Sequence, residues 1–298
     1  MAQQVPAGGA ACIDVPLARR LLAAQFPQWA ELPVQPVGAA GWDNAIFRLG
    51  TELSVRLPRR ELGARHLANE CRWLPMLAPH LPLPVPEPVG RGVPSEEYPW
   101  RWTVTRWLPG EVSALEPGLD EIQVADELAR FITALHTVDP VDGPASELRG
   151  VPLVQRDPGV RAAIAALHGR WDPVAVTAVW ESALAAPSWA APAVWTHGDL
   201  HPANLLIVDG RLSAVIDFGL LGVGDPAIDV LAAWTVLSPR TRDRFRRVLR
   251  VDEATWARAR GRALDFGLMC VANTPRDSLV GQVARRTIDQ VLADKTNR

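Results

Sequence analysis

Three polar residues in the second half of the chain have the types and spacing for chemistry on a phosphate. In Thr196-His197-Gly198-Asp199-Leu200-His201-Pro202-Ala203-Asn204, Asp199 and Asn204 stand five residues apart in a polar turn. Asp217 closes the apolar run Ala214-Val215-Ile216 and is followed by Phe218-Gly219. Phosphoryl transfer from a nucleotide needs a carboxylate that accepts or orients the proton of an attacking hydroxyl. It also needs hard oxygen ligands, here an amide and a second carboxylate, for Mg²⁺ ions that bridge the phosphates. Asp199 suits the first role, and Asn204 and Asp217 suit the second.

These residues have to be brought together by what lies between them. Residues 205–216 read as two short strands around the turn Asp209-Gly210. A hairpin folds its ends together, so Asp199, Asn204 and Asp217 are expected at one end of it. Upstream, Ile122 to His136 carries apolar residues at helical spacing (Val124, Leu128, Phe131, Ile132, Leu135), with acids early and a histidine late. This predicts a buried helix under the catalytic turn. Downstream, Gly224 to Trp234 predicts a helix with Asp225 as its cap and Pro226 at its first position. Residues 239–250, 253–273 and 277–294 predict three more, and Gly159–His168 and Pro173–Ala186 predict a helical pair.

The first third reads differently. An amphipathic helix is expected over Pro16 to Gln28, then a β-meander with strands at 45–49 and 53–57 and a further strand at 102–108. The turn from Gly38 to Asn44 offers backbone N–H groups to anionic oxygens, although it lacks the Gly-Lys-Ser/Thr ending of a Walker loop. The Pro-rich stretch 79–94 cannot be helix. A mainly β part and a mainly α part therefore meet near residue 109.

The paired pattern His197-Gly198-Asp199…Asn204 and Asp217-Phe218-Gly219 resembles the aminoglycoside phosphotransferases, small-molecule kinases with a protein-kinase-like fold. The resemblance implies an α+β, bilobal fold with a mainly antiparallel β N-lobe and a mainly α-helical C-lobe. It places a nucleotide-binding lobe at 1–108 and a catalytic and substrate-binding lobe at 109–298, with a helical insertion at about 145–190. It further implies that Arg56 stands where the family usually has a lysine, paired with Glu70 and reaching the phosphates. Backbone groups near Arg106 and Leu108 would hold the base of ATP or GTP. His197 would brace the loop, and Asp229 would be a buried carboxylate accepting its backbone N–H groups. The cofactors implied are ATP or GTP with Mg²⁺, and the acceptor is a small-molecule hydroxyl, first of all that of an aminoglycoside-type antibiotic. Macrolides, choline, methylthioribose, homoserine and fructosamine are the other acceptors of such enzymes. Macrolide kinases often carry His and Trp where this chain has Asn204 and Phe218. A kinase-fold module that binds without turnover is the competing reading, motivated by the missing lysine.

Composition bounds these readings. The chain has 298 residues, nearly half of them hydrophobic, and a formal net charge of -2. That suits an ordinary globular protein with a sizeable core and no nucleic-acid partner. Residues 1–11 lack a basic segment followed by an apolar core, and no apolar run would span a bilayer, so a cytoplasmic monomer with no membrane partner is expected. Cys12, Cys71 and Cys270 are far apart and suggest no disulfide framework. No His/Cys cluster has zinc spacing and no Gly-x-Ser-x-Gly elbow occurs. Lys295 is the only lysine. An aminoglycoside site should be rich in carboxylates. Residues 111–190 do lean acidic (Glu111, Glu116, Asp120, Glu121, Asp157, Asp172, Glu181), and Asp265 and Asp289 are possible amine partners. Trp171, Trp180 and Trp189 would form either a sugar-binding wall or a small helical core.

Overall fold

A computed structural model describes residues 13–38, 43–112, 119–146, 149–167 and 169–294. The chain divides into two compact units, residues 1–78 with 85–108, and residues 79–84 with 109–298. The first is an antiparallel sheet with two helices; the second is mainly helical, so the fold is α+β.

In the first unit, helix α1 (Val15–Gln25) starts where the Asp14 carboxylate accepts the Leu17 amide at 2.9 Å, with proline in the first turn. Its buried face, Leu17, Ala18, Leu21 and Leu22, follows the helical period and joins the core of the sheet. Strands β1 (Val34–Pro36), β2 (Asn44–Leu49), β3 (Leu53–Pro58), β4 (Pro88–Gly92) and β5 (Trp102–Arg106) form one antiparallel sheet in the order β1-β2-β3-β5-β4. Strand β3 is central. Its Val55 and Leu57 are fully buried, and Ser54 shares a 2.8 Å hydrogen bond with Thr105 on β5. Helix α2 (Glu61–Leu77) leads from β3 towards β4. It passes through Pro75 near its end. The phosphate-cradling turn expected between Gly38 and Asn44 falls on residues 39–42, which lie outside the described residues.

In the second unit, α3 (Glu121–Thr137) is capped by Asp120 and buries Val124, Leu128, Phe131, Ile132 and Leu135 completely or nearly so. Against it lie β7 (Val194–Thr196), β9 (Arg211–Val215) and α8 (Pro239–Leu249). Strands β6 (Glu111–Val112), β8 (Leu205–Val208) and β9 form an antiparallel ladder, and β7 pairs with β10 (Gly222–Gly224). Pro84 belongs here because its carbonyl accepts the Val215 amide at 3.2 Å. Helices α4 (Leu153–Ala165) and α5 (Pro173–Ala185) pack on α9 (Glu253–Asn273), which also carries α10 (Leu279–Ala293).

Two expectations are corrected. Helix α4 begins at Leu153 and passes through Pro158, because burying Leu153, Val160 and Ile164 outweighs the lost backbone bond. The helix expected from Gly224 to Trp234 is two short ones, α6 (Ala227–Val230) and α7 (Ala232–Thr235), joined at Leu231. Asp225 still accepts the Ala227 amide at 3.0 Å. Cys71 and Cys270 are free and half-buried, and burial pushes both thiols up to about 11; Cys12 lies outside the described residues. Among the described residues no helix is long and apolar enough to cross a membrane.

Candidate active site

The β8–β9 hairpin decides where the polar residues of the second unit meet. Asp209 and Gly210 both have positive φ, 50° and 74°, which matches the twist of a two-residue hairpin turn. The register pairs Leu205 with Val215, so the next pair outward is Asn204 and Ile216, where the Ile216 amide donates to the Asn204 carbonyl at 2.9 Å. Asp217 follows at once, exposed, with φ 63°. Aspartate is among the few side chains that tolerate this left-handed conformation.

Asn204 ties the turn shut. Its Nδ2 donates to the Asp199 carbonyl at 2.9 Å and lies 3.3 Å from Asp199 Oδ2. That orientation turns Asn204 Oδ1 away. Neither Asn204 Oδ1 nor the Asp217 carboxylate takes a hydrogen bond from a described residue. Among the described residues no group of three His, Cys, Asp or Glu is arranged to hold a metal. Two hard oxygen groups without protein donors are what Mg²⁺ needs, since it keeps several waters and takes the rest of its shell from phosphates.

The loop is held from behind. Asp229 is fully buried; its Oδ1 accepts the Gly198 amide at 2.9 Å, and its Oδ2 accepts the His197 amide at 3.0 Å and His136 Nε2 at 3.1 Å. His197 is also fully buried. Its Nδ1 accepts the Asp199 amide at 3.2 Å, which leaves Nε2 to donate to the Ile216 carbonyl at 3.1 Å. Burial holds its pKa down despite nearby carboxylates, so the ring is a neutral brace. Gly198 has φ 82°, and a Cβ there would stand 2.7 Å from the Leu220 carbonyl oxygen, so only glycine fits.

Asp199 itself is only partly covered. Burial pushes its carboxyl up, but His201 by charge and hydrogen bond, with Arg149 and His197, outweighs burial and holds it well below the usual carboxylate range. Arg149 Nη2 lies 3.5 Å from Asp199 Oδ1, and His201 Nε2 lies 3.4 Å from Oδ2. An ionised carboxylate here can accept a hydroxyl proton.

In the first unit, Arg56 on β3 and Glu70 on α2 are buried and make a two-point pair at 2.5 and 3.1 Å. At the end of β5, Arg106 is exposed and pairs through its backbone with Leu53, while the next amide, Trp107, donates to the Glu52 carbonyl at 2.7 Å. Leu108 is half-buried and ends this unit.

The family model described as "APH: Phosphotransferase enzyme family" matches residues 34–264, which include every residue placed above. The chain belongs to this phosphotransferase family. Solved structures of like fold include aminoglycoside 2'-phosphotransferase-IIIa in its GDP complex (17% identity, TM-score 0.71, covering 93% of this chain and 98% of that one). The GDP and kanamycin complex of APH(2")-IIia is similar (18%, TM-score 0.70, 92% and 98%). So is the apoenzyme of macrolide 2'-phosphotransferase MphH from Brachybacterium faecium (23%, TM-score 0.62, 96% and 99%). At these identities the likeness is one of fold, a kinase-like phosphotransferase fold. Comparison with curated proteins by sequence gives no match.

The candidate site contains groups that sequence reasoning missed. His136 reads as a helix-end histidine, yet it supplies the third donor to Asp229 from 93 residues away. Arg149 lies in a stretch with no pattern. The expected amine partners are also committed elsewhere. Asp265 binds Arg156 through both oxygens at 2.9 and 3.1 Å, and Asp289 takes Arg170 at 2.6 Å and the Trp171 indole at 2.7 Å. Asp157 takes Arg161 and the Trp180 indole, Glu181 takes Arg161, and Asp225 takes Arg258. Trp180 is core, not wall.

Proposed function

We propose that this chain is a nucleotide- and Mg²⁺-dependent O-phosphotransferase acting on a hydroxyl of a small molecule, with ATP or GTP as donor. The carrying observation is the clamp at Asp199. The Asn204 side-chain nitrogen fixes Asp199, and Asp217 directly follows Ile216, whose amide donates to the Asn204 carbonyl. In this reading Asp199 accepts the proton of the acceptor hydroxyl and aims its oxygen at the terminal phosphorus. The new O–P bond forms as the bond to the leaving nucleotide oxygen breaks. Asn204 and Asp217 would hold Mg²⁺, which when bound neutralises charge on the phosphates. His197, His136 and Asp229 keep the loop in shape. Arg56, steadied by Glu70, is the phosphate-reaching cation, and the backbone around Arg106 and Leu108 reads the base. Residues 1–108 then serve the nucleotide, and 109–298, with the helical pair at 145–190, serve catalysis and the acceptor.

An aminoglycoside-type acceptor is supported by family membership and by the fold shared with the kanamycin complex. The pairing of its expected carboxylates weighs against a polycation, and macrolides and small metabolic alcohols belong in the same panel. One observation favours a non-catalytic binding module: both Arg56 Nη atoms reach Glu70. The intact Asp199, Asn204 and Asp217 make turnover the better reading. The test is nucleotide consumption across that panel by the wild type and by Asp199→Ala. The variant should lose at least a thousandfold in turnover while binding nucleotide within a few-fold of wild type; undiminished turnover overturns the assignment.

A further inference from the structure

In the helical part Asp157, Asp225, Asp265 and Asp289 each meet an arginine, whereas Arg262 is hydrogen-bonded to none of them. Arg262 on α9 is 2% exposed; its Nη2 donates to the Val151 carbonyl, while Nε and Nη1 have no hydrogen-bond partner. Buried donors without acceptors are rare in a finished structure. Arg149, two residues before Val151, sets its guanidinium 5.7 Å from the Phe266 ring and 3.5 Å from Asp199 Oδ1. Asn204 occupies the other oxygen of that carboxylate. A hydroxyl that reaches Asp199 Oδ1 therefore enters beside Arg149.

Resting on the phosphotransferase reading, we propose that Arg149 determines acceptor specificity. It takes an oxygen group next to the reacting hydroxyl, a carboxylate best of all, and turns away acceptors carrying an ammonium there. The guanidinium fork matches a carboxylate with two parallel N–H···O bonds, and it never loses its charge. A hydroxyl on Asp199 and a carboxylate on Arg149 satisfy both halves of the pair that face each other here. An ammonium in the same place meets a like charge within a few ångströms, with Arg262 adding to it.

The test uses a matched pair of probes, 4-hydroxybutyrate and 3-aminopropan-1-ol, which share a hydroxypropyl chain and differ in the terminal charge. Binding to the full chain is followed by NMR chemical-shift titration, so no turnover is required. Wild type is expected to bind the hydroxy acid at least fivefold more tightly than the amino alcohol. Arg149→Gln should bring that ratio below twofold, and Arg149→Lys should restore a preference for the acid. Equal or undetectable binding of the two probes by wild type overturns the inference, as does a folded Arg149→Gln that keeps the wild-type ratio. Absence of phosphoryl transfer to every acceptor would sink the proposed reaction and leave this ratio to be judged by itself.

Discussion

Asp229→Asn is the sharpest probe of how the catalytic loop is held. The native carboxylate accepts three hydrogen bonds in a site with no exposure, two from the Gly198 and His197 amides and one from His136. Asparagine has one acceptor oxygen. If that oxygen replaces Oδ1, the NH₂ faces the His197 amide and His136 Nε2; if it replaces Oδ2, the NH₂ faces the Gly198 amide. Either way at least one backbone donor is orphaned, at about 1–3 kcal/mol, and the new NH₂ lacks an acceptor at a similar cost. Relief of the buried charge returns part of this. The net expectation is a loss of about 2–4 kcal/mol, a large share of a typical stability of about 5–15 kcal/mol. Urea unfolding followed by tryptophan fluorescence should show a lower midpoint with an unchanged slope. Because Gly198 directly precedes Asp199, kcat should fall at least tenfold in the fraction that stays folded. A loss under about 0.5 kcal/mol, within the range of surface substitutions, with normal kcat would refute the idea that Asp229 is what shapes this loop.

Three further outcomes follow from the same geometry. Asp217→Asn should raise the Mg²⁺ concentration for half-maximal rate at least tenfold and lower the rate with it; an unchanged Mg²⁺ titration would remove Asp217 from metal binding. Arg56→Met leaves the buried Glu70 carboxylate without its fork and should cost about 3–5 kcal/mol, whereas Arg56→Lys keeps a charge and should cost less than half as much; equal losses would show that shape alone matters there. The Asp199 carboxyl is held below its ordinary value, so the ionised form persists above that value and protonation starts only below it. An NMR titration of the Asp199 side chain should accordingly be flat from neutral pH down to about 4, the ordinary aspartate range, and a transition at about 5 or higher would show that His201 and Arg149 do not hold it.

What could be seen in the sequence was local. The hairpin followed from alternation around Asp209-Gly210, and it sets Asn204 against Ile216 whatever the rest of the chain does. Helix α3 was visible because every buried residue on it obeys one period. The start of α4 was hidden by Pro158, since the burial that carries the helix through it comes from α9, about a hundred residues later. The same distance hid the partners of the acids. Asp265 and Asp289 looked available because Arg156 and Arg170 stand 109 and 119 residues away. Arg149 could not be found from pattern at all, because its meaning lies in a contact across 50 residues of chain.

The near-absence of lysine connects these points. A buried lysine can shed its proton, but a guanidinium stays charged, so a protein that buries arginines must meet each with an acceptor. Arg56 meets Glu70, Arg156 meets Asp265 and Arg258 meets Asp225, each through a two-point contact. Each such pair ties elements within one unit, and it does so only while both partners remain. Arg262 is the exception; burial lowers it to about 10, still charged at neutral pH, and its Nε and Nη1 have no hydrogen-bond partner although Asp225 and Asp265 lie near enough to act on its charge. Carboxylates spent on arginines cannot greet the amines of a polycationic acceptor. With Asp157, Asp225, Asp265 and Asp289 all spent on arginines, the charge of the acceptor is what the hydroxy acid and amino alcohol comparison has to decide.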